Sequence, residues 1–255
     1  MLIQLSIGCL LMTSLLATNE IRLSFFKFNS LLSALSAAVA LLLIKFAQGS
    51  AWWDVRYLGL TVIGATVAYG LFNLEKPAAG RVALIVSGLL GLVFGLLPLA
   101  GDSLAARDWQ TKAVTYFEVS MLAGAALLGT TTVGMILGHW YLIMRRLSFT
   151  YLERFAQFLL GAVAFRALVV FFTLATLKTA DPKFAASFVS GLLSIHGNGF
   201  FFFLRVLFGL AAPTVLGYMI LRAVKEQANQ AATGLLYVCA ISVLFGELFA
   251  ALLLI

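Results

Sequence analysis

The feature that most constrains this chain is a series of long apolar runs, each about the length of a membrane-spanning helix. A bilayer core of about 30 Å takes about 20 apolar residues per helix. Such runs recur along the 255-residue chain, in which 62% of the residues are hydrophobic and only 11% are charged. Because a water-facing surface of this size needs more charge, the sequence predicts an integral membrane protein. The runs are too long for barrel strands, so we expect an all-α, polytopic transmembrane helical bundle.

Polar residues and Pro/Gly clusters divide the apolar runs into about eight predicted spans. Their approximate boundaries are 2–18, 31–47, 57–73, 82–100, 114–144, 155–177, 199–221 and 231–254. The segment 184–197 is too short to span and is expected to lie along the membrane surface. We therefore expect one integral membrane domain, residues 1–255. Residues 1–100 would form an apolar four-helix half, and residues 114–255 a four-helix half that carries the buried polar groups.

Basic residues at the ends of the predicted spans indicate their orientation. Of the 17 Lys and Arg residues, nine lie after odd-numbered spans and six after even-numbered spans. Cytoplasmic loops carry the excess of Lys and Arg, which places both termini on the outer, non-cytoplasmic side of the membrane. The net charge of +7 lies at span ends, where it faces anionic lipid headgroups, so we expect no nucleic-acid partner.

Ionisable residues inside the predicted spans are concentrated in the second half of the chain. An ionised side chain at the bilayer centre costs about 2.5–3.5 kcal/mol on insertion scales, so each is a functional candidate. The candidates are Glu118, Arg166, Arg205 and Glu247. The predicted topology places Arg166 deeper than the other three. We expect the two arginines and two glutamates to pair inside the bundle and to form a quinone-head or proton site near its outer side.

Small residues at a spacing of four predict close helix packing near these groups. On the seventh span, Arg205 is followed by Gly209, Pro213 and Gly217. The fifth span contains Gly134 and Gly138, immediately before His139. Such stripes let the backbones of neighbouring membrane helices approach each other.

His139 and His196 are the two histidines, and the predicted topology puts them at opposite membrane faces. A bis-histidine haem needs two imidazoles at a similar depth, so it is not expected, whereas either histidine could be the single ligand of a chlorin or haem. The alternative for His139 is a headgroup-level side chain beside Trp140 and Tyr141, and for His196 a turn or headgroup contact. Neither histidine has metal-ligand spacing to a second ligand, so we expect no metal site.

Two segments resemble a known kind of protein. They are "LGHWYL" at 137–142, followed by a basic turn, and "RAVKEQANQAATGLLYV" at 222–238. Both are similar to segments of an uncharacterised family of bacterial polytopic inner-membrane proteins. The resemblance covers mainly the second half of the chain. It implies a multi-pass protein of the bacterial inner (cytoplasmic) membrane and no particular activity.

Three functions fit these features. Short loops leave no room for a soluble catalytic domain, so an enzyme acting alone is not expected. The favoured hypothesis is a membrane subunit of a bacterial electron-transfer or energy-converting complex, with other membrane subunits as partners. Its 22 phenylalanines and four tryptophans suit a quinone, pigment or lipid tail. The alternatives are a small-solute or ion-coupled transporter, which would use the same charges as gates, and a purely structural scaffold subunit.

Overall fold

The computed structural model describes residues 1–16, 18–48, 56–96, 111–144, 149–180 and 198–253, and all regular structure within these ranges is helical. Eight helices follow one another in these ranges. They are α1 (Leu2–Ser14), α2 (Leu23–Gln48), α3 (Arg56–Asn73), α4 (Pro77–Leu90, continuing as the π-helical turn Gly91–Leu96), α5 (Thr111–Ile143), α6 (Thr150–Ala180), α7 (Asn198–Val206, the π-helical turn Leu207–Ala211, and Ala212–Lys225) and α8 (Asn229–Leu253).

Six of these helices are long and apolar enough to cross a membrane: α2, α4, α5, α6, α7 and α8. Helix α1 and residues Leu58–Asn73 of α3 are apolar but shorter. The structure therefore confirms a multi-pass, all-α bundle of the kind that lies in a lipid bilayer. Eight spans, and an outward position of both termini, stay predictions.

Several helix boundaries differ from those predicted, and hydrogen bonding explains the largest difference. Helix α2 begins at Leu23, eight residues before the predicted start at 31. The polar residues in this stretch bond within the helix: Asn29 Nδ2 donates to the Phe25 carbonyl at 2.9 Å, and Ser30 Oγ donates to the Phe26 carbonyl at 2.7 Å. Helix α4 begins at Pro77 rather than at 82, because proline suits the first helical turn. The predicted surface segment 184–197 lies outside the described residues.

The helices form two rings of four. In the first ring, α1 to α4, each helix packs against the next and α4 packs against α1. In the second ring, α5 to α8, the same order of contacts recurs, and α8 packs against α5. Neighbours within a ring run antiparallel: Gly88 of α4 lies at Leu11 of α1, whereas Gly91, one turn later, lies at Ile7.

Helices α1 and α5 join the two rings through glycine. A Cβ atom on Gly8 would overlap the Ala125 carbonyl oxygen, and one on Gly129 would overlap the backbone of Gly8. Toward the start of both helices, Gln4 Nε2 donates a 3.2 Å hydrogen bond to the Met121 carbonyl. Residues later in α1 contact residues later in α5, so the two helices run in the same direction. Only small residues permit this backbone-to-backbone approach.

Candidate functional site

An ion pair lies buried at the centre of the second ring. Arg166 Nη2 on α6 is 3.0 Å from Glu247 Oε2 on α8, and the two side chains are only 4% and 3% exposed. Arg166 Nη1 donates to the Ser120 carbonyl oxygen and, at 2.7 Å, to Ser120 Oγ on α5. Arg166 thereby joins three helices. Its guanidinium is well supplied with acceptors, as a buried charge requires.

Arg205 on α7 is a second buried guanidinium, and it has no such partners. The residue is 2% exposed. Both of its terminal nitrogens, Nη1 and Nη2, lack a hydrogen-bond partner in the described part of the chain. Arg205 is repelled by Arg166 and attracted by Glu247, so all three groups act on one another. We call Arg166, Arg205 and Glu247 the charged niche; its formal charge is +1.

A π-helical turn sets the position of Arg205. Helix α7 changes from α to π geometry at Leu207, two residues after Arg205. Pro213 has no N–H, so the Gly209 carbonyl four residues earlier cannot receive its α-helical hydrogen bond. The turn is held against α8, because Ser242 Oγ donates to the Phe208 carbonyl at 2.9 Å. One extra residue in a turn rotates the preceding segment by about 100°, and π-turns of this kind are frequent at functional sites.

Glycine also shapes the contact between α7 and α8. A Cβ atom on Gly246 would overlap Gly209, so the two backbones touch beside Glu247. Farther along the predicted stripe, a Cβ on Gly217 would meet Leu160 of α6. The stripe of small residues on α7 thus turns from α8 toward α6 along the helix. The sequence pattern predicted close packing here, and this packing is confirmed.

Gly124 of α5 brings a first-ring residue to the niche. A Cβ atom on Gly124 of α5 would lie 2.6 Å from Gln4 Nε2 and 2.6 Å from Glu247 Oε2. The Gln4 amide and the Glu247 carboxylate are therefore within about 5 Å of each other, since both border the same empty position. Ser120, Gly124 and Gln4 were absent from the predicted site. Gln4 carried a usable signal, because it is a polar residue inside the first predicted span.

The predicted charged set is only partly assembled. Arg166, Arg205 and Glu247 come together, but Glu118 is half-buried and makes no hydrogen bond or ion pair with another described residue. The second arginine–glutamate pair is thus not formed within the described chain. Arg166, which was expected to lie deeper than the rest, contacts Glu247 directly, and its depth in a membrane stays a prediction.

A group of phenylalanines lines the junction of α7 and α8 next to the niche. Phe249 lies 6.2 Å from Phe201, 6.3 Å from Phe208 and 6.3 Å from Phe245, measured between ring centroids. Phe201 and Phe245 are exposed on the outside of the bundle. We call these four residues the phenylalanine seam. It places an aromatic surface between the surroundings of the bundle and the Gly209–Gly246 contact.

His139 belongs to a different part of the molecule. It lies 19 residues beyond Ser120 on α5, a distance of about 28 Å along the helix. The imidazole is exposed, and its Nδ1 lies 3.3 Å from the Tyr237 hydroxyl. Trp140 packs edge-on against Phe25, and Tyr141 is buried.

The hypothesis that a histidine is the single ligand of a chlorin or haem gains no further support. His196 lies outside the described residues. Within the described ranges, no group of three or more His, Cys, Asp or Glu side chains could hold a metal ion. No family model, curated protein or solved structure matches the chain. The resemblance to an uncharacterised bacterial membrane family therefore stays a prediction.

Proposed function

We propose that the protein is an integral membrane subunit of a bacterial inner-membrane electron-transfer or energy-converting complex, whose charged niche binds a quinone head and exchanges protons with it. The observation that carries this proposal is Arg205: a buried guanidinium with two unpartnered nitrogens, beside the Arg166–Glu247 pair. Buried polar groups are normally paired, so an exception calls for an explanation such as a catalytic role or a bound ion.

Each residue of the niche has a distinct role in this proposal. Arg205 donates its free N–H groups to a carbonyl oxygen of the head and stabilises the negative charge that develops there when a redox subunit of the complex supplies electrons to the head. Glu247 takes up and releases the proton. Arg166 holds the carboxylate in place through the 3.0 Å contact. Gln4 and Ser120 position these groups from α1 and α5.

The phenylalanine seam supports a ligand with a long apolar tail. Its exposed members, Phe201 and Phe245, lie on the lipid-facing side of α7 and α8, while Glu247 is buried on the other side of α8. Aromatic faces of this kind pack well against isoprenoid chains and ring systems.

A transporter fits the interior of the second ring less well. Between the niche and the His139 end of α5, the side chains of Leu127, Leu128 and Leu137 are fully buried. The hydroxyls of Thr130 and Thr131 donate to carbonyls of their own helix at 2.7 and 2.8 Å. Because these hydroxyl groups donate within α5, they are not free to donate hydrogen bonds to a solute or ion that crosses the bundle.

Quinone content after gentle purification tests the proposal. Wild-type protein, Arg205→Gln and Arg222→Gln would be extracted in mild detergent and their organic extracts analysed for quinones. Arg222 is an exposed arginine on the same helix, which makes it a matched control. We expect quinone with wild type and Arg222→Gln, and loss of most of it with Arg205→Gln. Equal quinone in all three, or none in any, contradicts the proposal; loss of complex assembly with unchanged electron transfer per assembled complex would favour a scaffold.

A further inference from the structure

We propose that the charged niche binds an anionic oxygen group, a carboxylate or phosphate, carried on an apolar body. The inference rests on the ligand site proposed at Arg205 and names a second class of occupant, which would take the place of the quinone head. The niche holds two guanidinium groups but only one carboxylate, which is paired with Arg166, and the two terminal nitrogens of Arg205 have no acceptor in the described chain.

A buried arginine without a counter-ion requires an anion, because arginine does not lose its positive charge by deprotonation. A buried lysine or glutamate can lose or gain a proton when its charge is too costly. Arginine stays protonated in proteins. With Arg205 only 2% exposed, water supplies little solvation, and a negative group is the remaining means of compensation.

The unpartnered atoms match the geometry of carboxylate and phosphate. Nη1 and Nη2 of Arg205 form the fork that binds two oxygens of such a group at once. Arg166 cannot compete for the same ligand on equal terms, because its Nη1 is bonded to Ser120 and its Nη2 to Glu247. The positive charge of Arg166 nevertheless adds to the attraction.

The surroundings select an amphiphilic acid over an inorganic anion. Phe208 is three residues from Arg205, and its ring belongs to the phenylalanine seam that reaches the outside of the bundle. An anion with an apolar body would place its charge at Arg205 and its body along this seam. A neutral quinone head would satisfy the hydrogen bonds but would leave the charge uncompensated.

Thermal unfolding of the full chain in an uncharged detergent tests this inference. The probes are octanoate, its neutral counterpart octanamide, and decylubiquinone. We expect octanoate to raise the melting temperature of wild type and of Arg222→Gln, and octanamide to leave it unchanged. Arg205→Gln should weaken octanoate binding by at least about tenfold, the equivalent of one lost charge-assisted contact. Arg205→Lys, which keeps the charge without the fork, should give an intermediate affinity and serves if Arg205→Gln does not fold.

The source of the anion is distinguished by nanodiscs. Stabilisation by phosphatidylglycerol relative to phosphatidylcholine, lost in Arg205→Gln, would identify a lipid headgroup. Stabilisation by octanoate alone would identify a free amphiphilic acid.

The outcomes separate this inference from the proposed function. Arg205-dependent stabilisation by decylubiquinone, with none from octanoate or phosphatidylglycerol, overturns the inference and leaves the quinone site standing. The reverse pattern supports the inference and removes the quinone site. No Arg205-dependent response to any probe overturns both. If neutralising Glu118 by Glu118→Gln destabilises the unliganded protein as strongly as Glu247→Gln, Glu118 already supplies the missing charge and the inference is wrong.

Discussion

The two rings share one order of helix contacts but differ in what they bury. The described buried polar side chains of the first ring are neutral and include Ser6, Asn29, Ser33, Thr61 and Ser87. The second ring adds Arg166, Arg205 and Glu247 at comparable burial. The same packing scheme therefore holds two kinds of interior, one built from hydroxyl and amide groups and one built around charges.

The difference lies in what each group needs from its neighbours. Ser6 Oγ donates across helices to the Ser33 carbonyl at 2.8 Å, and Ser87 Oγ donates to the Thr61 carbonyl at 3.1 Å. Backbone carbonyl oxygens occur along every helix of a bundle, so a side-chain hydroxyl readily finds a hydrogen-bond acceptor. The first ring also holds unpartnered oxygens, such as Asn29 Oδ1 and Thr61 Oγ1, but a neutral atom costs less to leave unpaired than a charge does. The charges of the second ring depend on one another, which suits that ring to a ligand and the first ring to support.

The largest effect is expected at the carboxylate. Glu247→Gln leaves both guanidinium groups of the niche without a counter-ion, and we expect it to lower the free energy of unfolding by about 3–5 kcal/mol. Titration with sodium dodecyl sulfate in mixed micelles measures this loss. The double variant Arg166→Met/Glu247→Leu, which removes the pair together, should recover much of it. A loss below about 1 kcal/mol in Glu247→Gln would mean that the two interiors do not differ in this way.

The junction between the rings comes next. Gly8→Ala puts a Cβ atom onto the Ala125 carbonyl and the Gly129 backbone, so α1 and α5 must separate. Overpacking of this kind costs about 1–3 kcal/mol. Gly161→Ala on α6 is the control, because its Cβ would meet nothing within 4 Å. Unfolding of both variants in mixed micelles should show a loss for the first and little change for the second; equal behaviour would mean that the rings do not depend on this contact.

A change of the opposite sign is expected at Arg205. Arg205→Met removes an unpartnered buried charge, so the unliganded protein should gain about 1–2 kcal/mol in free energy of unfolding. The same variant should lose its response to the ligand. Differential scanning fluorimetry with and without octanoate measures both effects. Destabilisation in the absence of ligand would mean that Arg205 already has a counter-ion within the protein. The second ring would then need no ligand to compensate its buried charges.

The smallest effect is expected in the first ring. Ser6→Ala removes one hydrogen bond between α1 and α2 and should lower the free energy of unfolding by about 0.6 kcal/mol. Ser36→Ala is the matched control, because Ser36 Oγ donates only to carbonyls of its own helix, Leu32 and Ser33. Mixed-micelle unfolding of both variants compares them directly. A loss at Ser6 as large as that at Glu247 would show that hydroxyl contacts matter as much as the ion pair.

Much of the candidate site was visible in the sequence, and its gaps have physical reasons. Arg166, Arg205 and Glu247 are conspicuous because an ionisable residue in an apolar run is costly wherever the helix is placed. Glu118 gave the same signal but does not join them. The sequence predicted its position along α5, but it did not predict which neighbouring helix that face of α5 would meet. Ser120 and Gly124 carry no charge, so nothing in the local pattern distinguished them from packing residues.

The sequence by itself determined the helical class, the membrane-like character of the helices and the concentration of charge in the second half, because these depend on composition and on local periodicity. Only the tertiary structure decided that Arg166 takes the carboxylate while Arg205 is left without a partner. That choice depends on how each helix is rotated and where it crosses its neighbours. The rotations follow from the Gly8–Gly129 and Gly209–Gly246 contacts and from the π-turn before Pro213, which bring together residues far apart in the chain.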